Sequence, residues 1–117
     1  MAQFCIYHNP RCSKSRETLA LLESRGEPAI VIQYLQTPPD VATLKALVTM
    51  LGFTSVRQLM RHKDELYQSL ALDDAALTEE QLYQILSNNP ALLERPIVVK
   101  EGKARIGRPP QSVLEIL

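Results

Sequence analysis

Two cysteines among 117 residues, Cys5 and Cys12, are too few for a disulfide framework. No second cysteine pair and no spaced pair of histidines follows them, so zinc-ligand spacing is absent and no metal is expected. Lying in and just after one strand, the two thiols would also be too far apart to bridge each other without bending it. Charge of one sign is missing too: 13 basic and 13 acidic side chains leave a formal charge of zero. No global field therefore draws the chain to nucleic acid or to an anionic membrane surface. No apolar run approaches membrane-spanning length, and the opening MAQFCIYHNPRC is too short and polar for a signal peptide. A cytoplasmic location is the expectation. Internal repeats and tracts of biased composition are absent as well.

What is there is an ordinary apolar share of 45% in a chain long enough to build a core without staples. Gln3–Tyr7 is rich in strand formers and runs into the turn signal His8-Asn9-Pro10. A helix is expected from Ser13 or Ser15, with Leu19 and Leu22 on its apolar face and Gly26 at its end. AIVIQYL, residues 29–35, suits a buried parallel strand. Leu44, Leu47, Val48 and Leu51 then fall at helical spacing before Gly52, and Thr54 or Ser55 can cap a further helix through Leu59 and Met60. Thr78-Glu79-Glu80-Gln81 is a capping box for a helix to about Asn88. Strand character returns at Ile97–Lys100, turns at Glu101-Gly102-Lys103, and pairs back through Ala104–Ile106. Pro109-Pro110 stops that strand, and Gln111–Leu117 reads as a final helix. The order is βαβ, a helical insertion at about 38–93, then ββα. The expected fold is α/β: one thioredoxin-like domain over residues 1–117, with a mixed sheet.

YHNPRCSKSR, residues 7–16, places Cys12 between a strand end and the first turn of a helix. Free N–H groups and the positive end of the helix dipole favour an anion there, and Arg11, Lys14 and Arg16 add charge of the same sign. Cys12 is expected to carry a depressed pKa and to act as a nucleophile. The same surroundings favour a bound oxyanion, because arginine pairs with tetrahedral anions through two N–H groups at once. Spacing narrows the chemistry. A Cys-x5-Arg phosphatase loop would need arginine where Thr18 stands, and a Cys-x-x-Cys dithiol would need cysteine where Ser15 stands. Any disulfide chemistry at Cys12 needs a thiol from another molecule. Cys5, inside the strand, is expected to be buried and inert.

These residues resemble a known family. YHNPRCSKSRETL is similar to the opening of the glutaredoxin-linked, ArsC-type arsenate reductases, with their pattern His-Asn-Pro-x-Cys-x-x-Ser-Arg. LMRHKDELY (59–67), LLERPIVV (92–99) and IGRPP (106–110) resemble that family's later landmarks. The resemblance implies a thioredoxin-like fold and attack of Cys12 on arsenate. Glutathione, as external reductant, and glutaredoxin would then complete reduction to arsenite, with no bound cofactor. It assigns Arg61, Arg95 and Arg108 to the oxyanion and His8 to lowering the thiol pKa, with Ser15 and Arg16 as supporting residues of the motif. It also makes Arg95-Pro96 a cis bond beside the cysteine. One departure stands out: the family's usual Gly-Thr after the cysteine is Ser13-Lys14 here. Two alternatives stay open. One is a regulatory relative of the Spx branch, which binds RNA polymerase, although Ser15 counts against that branch's Cys-x-x-Cys switch. The other is a thiol reductase for another substrate, or a protein that only forms mixed disulfides with glutathione.

Overall fold

The computed structural model describes residues 4–26 and 28–116. The chain divides into two compact units, Met1–Thr37 with Arg95–Leu117, and Pro38–Glu94.

In the first unit, β1 (Phe4–His8) leads into helix α1 (Ser13–Ser24) and returns as β2 (Ala29–Gln33). The chain comes back into this unit as β3 (Ile97–Lys100) and β4 (Lys103–Ile106), then ends in a 3-10 helix, Pro110–Ile116. The sheet order is β2-β1-β3-β4, with β2 parallel to β1 and both later strands antiparallel to their neighbours. This is the thioredoxin-like βαβ plus ββα plan. The β3–β4 hairpin closes through two residues, Glu101 and Gly102, both at positive φ (51° and 78°). That pair of angles matches the right-handed twist of the flanking strands, and glycine takes its share without strain.

The core of this unit gathers Phe4 and Ile6 from β1, Leu22 from α1, Val98 from β3, and Val113 and Ile116 from the last helix. Each such buried side chain contributes about 1.5–3 kcal/mol. Strand period and helix period thus meet in one cluster, which packs the C-terminal half of α1 and the last helix against β1 and β3.

Three expectations are corrected here. The continuous apolar run 29–35 does not make a buried strand: β2 is an edge strand, stops at Gln33, and leaves Ile30 52% and Val31 43% exposed. The final helix is of the 3-10 kind and begins at Pro110 rather than Gln111. Cys5 is half-buried rather than enclosed, although burial does push its thiol up. The expected strand start at Gln3 and helix end at Leu117 lie outside the described residues.

The second unit holds α2 (Val41–Leu51), a 3-10 turn at Val56–Leu59, α3 (Glu65–Ser69), α4 (Glu79–Asn88) and a 3-10 turn at Pro90–Leu92. Asp40 caps α2 by accepting from the Thr43 N–H at 2.8 Å, and Gly52 ends it at φ 74°. The expected capping box closes on α4, where Thr78 and Gln81 pair reciprocally. A second box, Ser55 with Gln58, opens the segment expected as a helix through Met60; it is of the 3-10 kind and ends at Leu59. Glu79 binds both the Ser55 hydroxyl and the Val56 N–H at 2.9 Å, joining that turn to α4. Helix α3 has no counterpart in the sequence reading. Asp64 caps it, and its Tyr67 hydroxyl donates to Asp73 at 2.7 Å.

Candidate active site

Cys12 is the N-cap residue of α1, at φ −93° and ψ 124°. Its own N–H donates to the Asn9 carbonyl at 3.0 Å, which closes the loop from β1 into the helix. The loop is held from inside by a short network. Ser15, fully buried, accepts the Asn9 N–H at 3.0 Å, and its Oγ lies 2.6 Å from Nδ1 of His8, itself 6% exposed. The hydroxyl thus bridges the Asn9 N–H and a neutral ring, donating to Nδ1 or accepting from it according to the ring's tautomer. Burial, and then the nearby Arg16 guanidinium, hold the His8 imidazole below its ordinary value, in keeping with that neutral form. Arg16 reaches back to the Pro10 carbonyl at 3.1 Å.

The sulfur is tuned by opposed influences. Burial pushes the Cys12 thiol up, but the N–H groups of Ser15 and Lys14 and the Arg95 guanidinium favour the anion and bring it below its ordinary value. No cap hydrogen bond to the Cys12 side chain is formed; the two N–H groups lie near enough to act on the charged form. Arg108 adds a long contact, Nη1 at 3.9 Å from Sγ, and the same nitrogen donates to the Arg95 carbonyl at 3.4 Å. The cations on the sulfur thus come from the far end of the chain. The basic neighbours in sequence are directed elsewhere: Lys14 pairs with Glu17 at 3.4 Å and Arg16 holds Pro10.

Arg95 and Arg108 each precede a cis peptide bond, to Pro96 and Pro109. Between them stands Gly107, whose N–H donates to the Pro96 carbonyl at 2.9 Å. A β-carbon at Gly107 would lie 2.5 Å from Thr18 Oγ1 and 2.9 Å from Pro96 Cγ. Only glycine permits this approach. Thr18 is fully buried and donates to the Lys14 carbonyl at 2.8 Å, so α1, the Pro96 turn and the end of β4 meet at one point. The result is a thiol held below its ordinary value, with backbone N–H groups and two guanidinium groups acting on it, an arrangement suited to an oxyanion.

A family model described as the ArsC family matches residues 7–116. The chain belongs to the ArsC family. Across 112 residues this ArsC chain is 55% identical to a Haemophilus influenzae protein named arsenate reductase, covering 96% of the chain and 97% of that protein. It is 59% identical over 115 residues to YfgD of Escherichia coli K12, whose name assigns no activity; the match covers 98% and 97% of the two. A solved structure named arsenate reductase from Vibrio cholerae superposes with a TM-score of 0.96 at 55% identity, covering 98% of each chain.

Within this ArsC chain, Cys12, His8, Ser15, Arg16, Arg95 and Arg108 all belong to the first unit. Arg61 belongs to the second, where it pairs with Asp64 at 3.2 Å and donates to the Ala91 carbonyl at 3.4 Å. Ser13 and Lys14, which replace the family's Gly-Thr, sit in the first turn of α1, and neither has a positive φ. No glycine is required there, and the Lys14 N–H still acts on the sulfur. Sequence reasoning missed Thr18 and Gly107. The one available signal was a glycine at a strand end, which often marks close backbone approach. Among the described residues, no cluster of His, Cys, Asp and Glu could hold a metal, and no helix is long and apolar enough to cross a membrane.

Proposed function

We propose that this chain reduces arsenate to arsenite through Cys12, with glutathione and glutaredoxin supplying the two electrons. The observation that carries the reading is the Cys12 sulfur at the start of α1, facing the Ser15 and Lys14 N–H groups and the Arg95 guanidinium. The relatives named arsenate reductase supply the substrate.

The thiolate attacks arsenic, a sulfur–arsenic bond forms, and one arsenate oxygen leaves as water after protonation. Arsenic stays at oxidation state V. Arg95 and Arg108 offset the negative charge that otherwise repels a thiolate from an oxyanion, and hold the two within reach. Glutathione then replaces a second hydroxyl of the adduct, again with loss of water. A glutaredoxin thiol attacks the glutathione sulfur; the electron pair of that arsenic–sulfur bond stays on arsenic, which falls to state III, and a mixed disulfide departs. Water cleaves the remaining Cys12–arsenic bond, releasing arsenous acid and the thiol. External thiols are obligatory in this scheme, since position 15 is serine. Glutathione acts as a co-substrate in the cytoplasm and no bound cofactor takes part. His8, Ser15 and Arg16 hold the loop that aims the N–H groups. Arg61 is assigned to the anion by the family resemblance.

Arsenite formation with glutathione and glutaredoxin tests the proposal. Turnover in the wild type and none in Cys12→Ser is the expected result. Failure of both to turn over arsenate, with each reductant supplied, would overturn it.

A further inference from the structure

Gly107 is a glycine for want of room rather than for backbone freedom. Gly26, Gly52 and Gly102 take positive φ and have open space where a β-carbon would stand; Gly107 has neither. A β-carbon there would meet Thr18 Cγ2 at 3.1 Å in addition to its closer approaches to Thr18 Oγ1 and Pro96 Cγ. Thr18 is not free to step aside. It is fully buried, and turning its side chain would break the bond from Oγ1 to the Lys14 carbonyl.

The neighbours of this contact are the groups that serve the sulfur. Arg95 adjoins Pro96 and Arg108 adjoins Gly107 in sequence. The two turns are tied together by the Gly107 N–H on the Pro96 carbonyl and by Arg108 Nη1 on the Arg95 carbonyl, so a push on one is passed to the other. On the helix side, Thr18 holds the Lys14 carbonyl, in the turn whose Lys14 and Ser15 N–H groups act on Cys12. Arg108 Nη1 already stands 3.9 Å from Sγ, and a displacement on the order of 1 Å is enough to weaken such a contact severely.

We propose that Gly107 and Thr18 are positioning residues for the thiol site: the bare Gly107 backbone, seated on the Thr18 side chain, sets how closely the Arg95 and Arg108 guanidinium groups approach Cys12. Neither is among the groups that act on the sulfur directly; both act through the two arginines. The inference rests on the reading of Cys12 as an activated thiol, and it holds for any oxyanion the site takes.

The test follows the rate of Cys12 alkylation by iodoacetamide against pH in the full chain without denaturant, with peptide mass spectrometry separating Cys12 from Cys5. Gly107→Ala should move the inflection towards that of a free thiol and slow alkylation at neutral pH about threefold. Thr18→Ala unseats the same backbone without adding an atom and should slow it by less, about twofold. The double variant, with the nearest obstruction gone, should return to the Thr18→Ala rate. Thr18→Ser keeps the hydroxyl and should stay near wild type. Val113→Ala opens the core of the same unit instead, and should lower the urea midpoint while leaving the inflection in place. Should Gly107→Ala not fold by circular dichroism, Thr18→Ala decides alone. An unmoved inflection in these variants beside an activated wild type would overturn the proposal and leave the proposed function standing. An equal shift in Val113→Ala, or a double variant no faster than Gly107→Ala, would overturn it as well. A wild-type inflection at the free-thiol position would overturn both together.

Discussion

Cys5 and Cys12 carry the same side chain, and the fold treats them oppositely. Burial alone acts on Cys5 and raises its thiol, whereas at Cys12 backbone N–H groups and Arg95 outweigh burial and lower it. One equivalent of iodoacetamide near neutral pH should therefore label Cys12 and leave Cys5 unmodified, as peptide mass spectrometry would show; label shared equally would contradict this. The lowered value also ties ionisation to stability. Between the folded value and the ordinary one, the unfolded chain binds more protons at this site, so stability rises with pH across that interval. The advantage of wild type over Cys12→Ser in urea should be absent below the folded value and complete above the ordinary one. Ser15 makes a second residue-scale prediction. Ser15→Ala leaves the Asn9 N–H and His8 Nδ1 without their partner, and should cost about 1–3 kcal/mol in urea unfolding.

Elements were legible in the sequence where their signals are local. The Thr78–Gln81 box sits on α4 as its spacing indicates, and Thr78→Ala should cost about 1 kcal/mol. Helix α3 escaped notice because a five-residue helix carries too little periodicity to stand out, and only Asp64 announces it. The exposure of β2 was hidden for a different reason: an apolar run reads the same in a central strand as at an edge, and strand order is set by pairing across the chain. The junction of α1, Pro96 and Gly107 is non-local in the same way. Gly107→Ala drives a methyl against Thr18 and Pro96, and should destabilise by about 1–3 kcal/mol. Thr18→Ala removes one of the two obstructions, so the same substitution in that background should cost less, and the double-mutant cycle measures the coupling.

On the scale of the whole molecule, the site joins residues 96 positions apart, Cys12 and Arg108. Spacing along the chain could indicate the nucleophile and the helix start. That the cations come from Arg95 and Arg108 rather than from Arg11, Lys14 and Arg16 followed only from the family resemblance, because the sheet brings them in. Thiol activation should accordingly vanish in the same cooperative urea transition that unfolds the first unit. Arg61 separates two roles. If it binds the anion, Arg61→Ala raises KM for arsenate about tenfold; if it serves only Asp64 and Ala91, the urea midpoint falls and KM stays. The most direct measurement is the rate of Cys12 alkylation against pH, with and without arsenate, in wild type, Arg95→Ala and Arg108→Ala. The wild-type inflection should lie below that of a free thiol and arsenate should protect, while Arg95→Ala slows alkylation at neutral pH by about 3–10-fold and both variants lose protection. An inflection at the free-thiol position, unmoved by either substitution and indifferent to arsenate, would contradict the account.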